Sequence, residues 1–139
     1  MKTILCAVDE SAGAAEAVAV ASGLSADLGL RLVLAHVVDG QRRSEGPGVD
    51  GQHTSAAGER LLERVARTHG LERGADRRTE VGDRVSELSR IAGEEAAAVI
   101  IVGSGSRYRR RRSRIGRLSA ELKSAAPCAV VVVPPRARR

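Results

Sequence analysis

The chain has 139 residues, of which 42% are hydrophobic, and this size predicts one domain over residues 1–139 with a core of its own. Tyr108 is its only aromatic residue, which makes the core aliphatic and excludes recognition of a ligand by aromatic stacking. The net charge of +6 comes from one part of the chain, because 7 of the 23 basic residues lie in 107–117. The rest of the chain has 16 basic and 17 acidic residues, which excludes a uniformly basic nucleic-acid-binding domain.

The first half of the chain predicts two parallel strands joined by a helix. TILCAV (3–8) is a short apolar run typical of a buried strand, and an alanine-rich helix is predicted from there to Leu28. LVLAHVV (32–38) is again continuously apolar, as in strands that are covered on both faces. The polar, glycine-rich segment 39–54 predicts a flexible surface loop, and a second helix is predicted from Ser55.

The second half continues the alternation of strands and helices. Residues 71–81 are mostly charged, so a strand formed by them is predicted at an edge of the sheet. Asp83 is a candidate cap of a third helix, and AAVIIV (97–102) follows it as a buried strand. A last helix is predicted to stop before Pro127, ahead of the final strand AVVVV (129–133). Five strands and four helices in alternation predict an α/β fold with a parallel sheet covered on both faces.

A ligand site is predicted at the carboxyl ends of the strands. In open parallel sheets, ligands bind beyond the carboxyl ends of the strands, where the winding reverses direction. Asp9 closes the first strand and Gly103 closes the fourth, so both are expected to face one crevice. The turn 103–106 offers small residues and backbone N–H groups, and Gly116 is predicted to open a helix whose amino end attracts anions. These features indicate phosphate binding, although a turn of this composition also serves simple chain reversal.

Three stretches make the whole chain resemble a universal stress protein domain. They are ILCAVDES (4–11), LVLAHVVD (32–39), and the closing segment VIIVGSGS through IGRLSAELKSAAPCAVVVVP (99–134). The resemblance implies a Rossmann-like sheet of five strands in the order 3-2-1-4-5, and a dimer that commonly forms through the last strands. In one branch of the family it also implies an adenine-nucleotide site built from Gly-x-x-Gly, nine residues, and Gly-Ser/Thr.

The nucleotide motif of the family is half preserved here. Gly103 and Gly116 match its first and third glycines, whereas Ser106 replaces the second glycine and Arg117 replaces the Ser or Thr. The resemblance thus implies that ATP or another adenine nucleotide is bound. The residues that it assigns to this site are Ala7, Val8, Asp9, Val37, Val102, Gly103, Gly105, Ser106, Gly116, Arg117, Leu118 and Ser119.

The arginine-rich segment 104–115 is predicted to be a loop with one of two roles. It is either a clamp over nucleotide phosphates or a contact arm for an acidic protein or nucleic acid. The residues of this basic patch are Arg107, Arg109, Arg110, Arg111, Arg112 and Arg114. We expect a non-enzymatic, nucleotide-binding stress-response domain, because no catalytic constellation is visible. The alternative is a nucleotide-free interaction protein that docks its partner through Arg107–Arg117, and a slow ATPase is a third hypothesis.

The final strand predicts a homodimer. AVVVV (129–133) is uncharged and rich in β-branched residues, so an uncovered sheet edge of this kind would template aggregation. The basic tail 134–139 is too short to cover it. We therefore expect the same strand of a second copy to pair with it about a two-fold axis.

The remaining features indicate a cytoplasmic protein without membrane contact or bound metal. The segment MKTILCAVDE lacks the apolar region of a signal peptide, and no apolar run approaches the about 18 residues of a membrane span. Cys6 and Cys128 lie in apolar runs without metal-ligand spacing, so both are expected to be buried and reduced. His36 is expected to be a hydrogen-bonded residue at a strand end.

Overall fold

The protein folds around one parallel sheet in the computed structural model, which describes residues 2–40, 51–104 and 112–134. The strands lie in the order β3-β2-β1-β4-β5, and every neighbouring pair is parallel. The predicted α/β class and strand order are therefore confirmed. The elements are β1 (Thr3–Ala7), α1 (Ala12–Leu28), β2 (Arg31–Asp39), α2 (Gly51–Thr68), β3 (Asp76–Gly82), α3 (Arg84–Glu94), β4 (Ala97–Gly103), α4 (Arg112–Ala125) and β5 (Ala129–Val133).

Helices cover both faces of the sheet, and this is why its central strands are apolar throughout. Successive strand residues point to opposite faces. Ile4 of β1 belongs to one buried cluster with Leu62 of α2, whereas the adjacent Leu5 belongs to a second cluster with Ile91 of α3 and Leu122 of α4. Each such side chain contributes about 1.5–3 kcal/mol of burial free energy. None of the helices in the described ranges is both long enough and apolar enough to cross a membrane.

Two helices begin inside segments that the sequence predicts to be loops. β2 includes Asp39 and α2 begins at Gly51, so residues 51–54 are helical and only 41–50, outside the described residues, separate the two elements after Gly40. Likewise α4 begins at Arg112 inside the predicted loop 104–115. The apolar period marks only the helical turns that touch the core. Polar first turns, such as the arginine-rich start of α4, extend a helix without leaving that signal.

The mostly charged strand β3 lies at an edge of the sheet, as predicted. It pairs with β2 over seven residues, from Val33↔Asp76 to Asp39↔Gly82, so its regular part is Asp76–Gly82. Three of its four charged residues, Asp76, Arg78 and Glu80, form ion pairs. Arg78 contacts the Glu80 carboxylate at 2.9 Å and the Glu94 carboxylate of α3 at 2.8 Å. Ion pairs therefore replace some of the apolar contacts that would otherwise join β3 to α3.

Helix α3 begins with the cap that the sequence predicts. Asp83 is its N-cap residue, and its carboxylate accepts a hydrogen bond from the Ser86 N–H at 2.9 Å. Leu88, Ile91 and Ala92 of this helix are buried on one face. The side-chain cap satisfies an N–H group that the helix itself leaves without a partner.

Candidate functional site

Strand β1 ends before both of its neighbours, and this opens a notch at the carboxyl edge of the sheet. Its last pair with β2 is Ala7↔Ala35, and β2 continues for four residues to Asp39. Its last pair with β4 is Cys6↔Ile101, and β4 continues for two residues. In the order β3-β2-β1-β4-β5 the winding reverses at β1, which is where ligands of such sheets bind. We use "the notch" for residues 8–11, 37–39 and 102–104.

Asp9 lies in the notch with an oriented carboxylate. Its Oδ1 accepts hydrogen bonds from the Ser11 N–H at 2.8 Å and from the Ser11 hydroxyl at 2.5 Å. Its Oδ2 has no hydrogen bond to any residue that the structure describes. Ser11, and not Asp9, is the N-cap residue of α1. Ser11 therefore fixes the direction of the carboxylate through one oxygen, and the other oxygen has no partner in the part of the chain that the structure describes.

Gly103 brings the end of β4 against the first turn of α1. A Cβ atom at this position would lie 2.6 Å from the Gly13 carbonyl oxygen and 2.7 Å from its carbon. No side chain fits in such a space, so glycine is required here by close packing of two backbones. The contact holds the amino end of α1, which carries partial positive charge, beside the wall of the notch.

Ser104 differs from what the sequence predicts for the 103–106 turn. Its N–H donates to the Val133 carbonyl at 2.9 Å, so this amide belongs to the β4–β5 contact and is not free for phosphate. Its hydroxyl oxygen is buried and has no partner within the described ranges. Apart from its place directly after the strand end, nothing in the sequence distinguishes Ser104 from the other small residues of the turn.

The structure brings the predicted residues of β1, β2 and β4 together around the notch. Val8, Val37 and Val102 are buried at 3%, 5% and 3% relative exposure, so their side chains belong to the core and only their main chain could contact a ligand. Ala7 is half-buried at the end of β1. Asp9 is thus the predicted residue whose described side chain is best placed for recognition.

The predicted residues near α4 are arranged differently from the expectation. Because α4 begins at Arg112, the prediction that Gly116 opens this helix is wrong. The N–H groups of residues 116–119 lie inside the helix, where helix geometry pairs them with carbonyls four residues earlier, and the N–H groups without a partner in the helix itself belong to its first turn, 112–115. Arg117 and Ser119 share this second turn, and Leu118 packs partly buried against the α3–α4 core. Gly105, Ser106 and the arginines from Arg107 to Arg111 lie outside the described residues.

His36 and the two cysteines lie in surroundings that indicate structural roles. The Nδ1 atom of His36 lies 2.8 Å from the Val8 carbonyl oxygen, which confirms the expected hydrogen bond, but His36 lies inside β2 and not at a strand end, because this strand continues to Asp39. Burial, with a smaller effect of the Asp9 charge, raises the pKa of the Cys6 thiol to about 12. Cys128 is only half-buried, so the expectation of full burial is correct for Cys6 alone. Within the described residues no group of three His, Cys, Asp or Glu side chains is placed to hold a metal ion.

Several solved structures share this architecture. A protein from the universal stress protein family of Burkholderia pseudomallei is 26% identical, with 97% of this chain and 96% of that chain covered and a TM-score of 0.69. The universal stress protein from Archaeoglobus fulgidus in complex with dAMP is 17% identical, with coverage of 96% and 98% and a TM-score of 0.69. A universal stress protein in complex with cAMP is 20% identical, with coverage of 97% and 98% and a TM-score of 0.68.

The sequence itself matches a family over nearly its whole length. No curated protein gives a significant match. The model of the universal stress protein family, in contrast, matches residues 1–134. This match covers every strand and helix described above, including the notch. The chain therefore belongs to the universal stress protein family.

Proposed function

We propose that this chain is a non-enzymatic stress-response domain that binds ATP or another adenine nucleotide in the notch. The observation that carries the proposal is the state of Asp9 at the point where the winding reverses: Oδ1 is held by Ser11, and Oδ2 has no hydrogen bond among the described residues. The complexes of two structural neighbours with dAMP and cAMP support an adenine nucleotide as the ligand class.

The two sides of the notch suit the two ends of a nucleotide. An ionised carboxylate only accepts hydrogen bonds, so Asp9 Oδ2 would bind the amine of adenine or a hydroxyl of ribose. The main chain of residues 37–39 extends beyond the last β1 pair and is the neighbouring wall. On the other side, the phosphates would lie towards Gly103, the amino end of α1 and the first turn of α4, where backbone N–H groups favour anions.

The non-enzymatic part of the proposal rests on how the polar groups near the notch are used. Asp9 Oδ1 is engaged by Ser11, and the Nδ1 atom of His36 is engaged by a backbone carbonyl. Among the described residues, no histidine side chain forms a hydrogen bond to a hydroxyl or thiol that would act as a nucleophile. We therefore expect binding without rapid hydrolysis.

Calorimetry with ATP, AMP and cAMP tests this proposal, with GTP as the comparison. We expect a micromolar dissociation constant for an adenine nucleotide, which corresponds to about −8 kcal/mol. Asp9→Ala should weaken binding about tenfold to a hundredfold, since a hydrogen bond to a charged group contributes about 1.5–3 kcal/mol. Asp27→Ala is the matched control, because Asp27 is an exposed aspartate near the end of α1, outside the notch. The proposal is wrong if the folded wild-type protein shows neither heat nor a higher melting temperature at saturating nucleotide.

The segment 107–117 favours a second function, the binding of a polyanion such as nucleic acid or an acidic protein. It holds seven arginines and no acidic residue, so like charges accumulate unless an anion neutralises them. Exchanging Arg109–Arg112 for serine should weaken ATP more than adenosine if the arginines contact phosphates. If nucleotide binding is unchanged while RNA binding and its steep salt dependence are lost, the segment serves the polyanion instead.

We also propose that the protein is a homodimer through β5. The two edges of the sheet differ in chemistry: β3 carries Asp76, Arg77, Arg78 and Glu80, whereas β5 is the uncharged run AVVVV. Charges protect an edge strand from pairing with another chain, and β5 has none. Its Val131 is 41% exposed, an unusual state for a large apolar side chain in a strand. A second copy of β5 would cover both this side chain and the backbone edge that pairs with no other strand of the described sheet.

A further inference from the structure

His36 lies where strand β1 stops pairing with β2. The last ladder hydrogen bond between the two strands runs from the Val8 N–H to the Ala35 carbonyl at 2.7 Å. The next polar group along the chain is the Val8 carbonyl, which lies 2.8 Å from the His36 Nδ1 atom. A carbonyl oxygen only accepts, so Nδ1 must carry the hydrogen in this contact. The imidazole thus adds one bond to the β1–β2 ladder after the backbone pairing has ended.

The imidazole ring is held in place from two sides. A Cβ atom at Gly58 of α2 would lie 2.8 Å from the ring carbon Cδ2 and 2.7 Å from the Thr79 methyl carbon. Thr79 is the β3 residue that pairs with His36 in the sheet. Helix α2 therefore lies directly on the ring, and this close approach is possible only because residue 58 is glycine. The packing limits the rotation of the ring and keeps Nδ1 directed at the Val8 carbonyl.

The carbonyl that His36 holds belongs to the peptide unit that leads into Asp9. A peptide unit is planar, so fixing the direction of the Val8 carbonyl also fixes the direction of the Asp9 backbone nitrogen. From the other side, Ser11 holds the Asp9 carboxylate. We infer that His36 is a positioning residue for Asp9, and this inference rests on the proposed nucleotide site. Its N–H group, rather than its size alone, would keep the carboxylate aimed into the notch.

Two substitutions separate positioning from simple packing. In His36→Asn the side-chain amide can donate a hydrogen bond in place of Nδ1, whereas His36→Leu fills the space without a donor. We expect the leucine variant to bind ATP about tenfold more weakly, and the asparagine variant to stay within about threefold of the wild type. His69→Leu, at the end of α2, is the control for loss of a histidine and should leave the affinity unchanged.

Amide hydrogen exchange gives a test that needs no nucleotide. The Ser11 N–H is protected by its bond to Asp9, so we expect its exchange in free protein to accelerate in His36→Leu and to stay near the wild-type rate in His36→Asn. The amides of β5 should not change in either variant. Should both variants give the same exchange rate at Ser11, the ring acts by packing and the inference is wrong. If the wild type binds no nucleotide, the proposed function fails, while this measurement still decides the role of His36.

The tautomer of the neutral His36 ring provides a check that does not depend on the folding of a variant. The nitrogen-15 chemical shifts of the wild-type imidazole distinguish a hydrogen on Nδ1 from one on Nε2. We expect Nδ1 to carry the hydrogen in the neutral ring, because it faces a carbonyl. A neutral ring protonated on Nε2 would overturn the inference, since Nδ1 would then have no hydrogen to donate to Val8.

Discussion

Replacing Gly103 by alanine tests the contact that joins the end of β4 to α1. The new Cβ would lie 2.6 Å from the Gly13 carbonyl oxygen, and an ordinary contact begins at 3.4 Å. The two backbones must therefore move apart by about 0.8 Å, because neither is the end of a flexible side chain. This movement would widen one wall of the notch as well as disturb the packing around it.

The expected magnitude follows from the cost of overpacking. Forcing extra atoms into a well-packed site costs about 1–3 kcal/mol, so Gly103→Ala should lower the free energy of unfolding by that amount. Gly23→Ala is the matched control: Gly23 lies inside α1, and a Cβ there has no atom within 4 Å. That substitution should stabilise the protein by about 0.5–1 kcal/mol, since alanine favours a helix over glycine. The same chemical change should thus have opposite signs at two positions.

Urea unfolding followed by circular dichroism measures both changes, at one fixed protein concentration because a dimer would make stability depend on it. Thermal unfolding should show the same order, with about 3–5 °C per kcal/mol for a chain of this length. Calorimetry should show weaker binding of ATP by Gly103→Ala and normal binding by Gly23→Ala. If Gly103→Ala unfolds within about 0.5 kcal/mol of the wild type, the close approach of β4 to α1 is refuted.

Three further predictions follow from single side chains. The hydrogen bond from the Ser86 N–H lowers the pKa of Asp83 in the folded protein. The stability that the Asp83 carboxylate contributes is therefore present above the unfolded pKa near 3.8 and is lost as the pH falls through the folded pKa. Asp83→Ala should cost about 1 kcal/mol at pH 7 and Asp83→Ser much less, and equal losses in urea unfolding would contradict a capping role. The buried Cys6 thiol should resist a thiol reagent in the folded protein while Cys128 reacts, and mass spectrometry that finds Cys6 labelled first would disprove this. Val131→Lys should convert a wild-type dimer into a monomer in sedimentation velocity, and a monomeric wild type at tens of micromolar would rule out the β5 interface.

The secondary structure could be predicted where it depends on neighbouring residues. The apolar runs that form β1, β2 and β4 are continuous because helices cover both of their faces, and this property is visible in the sequence alone. The cap at Asp83 is equally local, since its partner is three residues away. The start of α4 at Arg112 could not be predicted, because residues 112–114 are polar and the apolar residues that indicate a helix begin only at Ile115.

The location of the candidate site could be predicted from the sequence, but the arrangement of its hydrogen bonds and helix start could not. The order of strands and helices, together with the resemblance to a family, directs attention to Asp9 and Gly103 at the carboxyl edge. The sequence could not indicate that the Ser104 amide is used by Val133, because that contact spans the β4–β5 pair. Nor could it indicate that Gly116 lies in the second turn of its helix.

Alternation of apolar strands with helices is a property of neighbouring residues, so the α/β fold class can be predicted from the sequence. The four residues by which β2 extends past its last pair with β1, beside Asp9, are a feature of the folded chain alone. The same is true of the close approach of Gly13 to Gly103 and of the contact between His36 and the Val8 carbonyl, which join residues far apart in the chain. These features depend on strand register and on the close approach of backbones. Both are set by the packing of α1 and α2 on the sheet, which involves all of these elements at once.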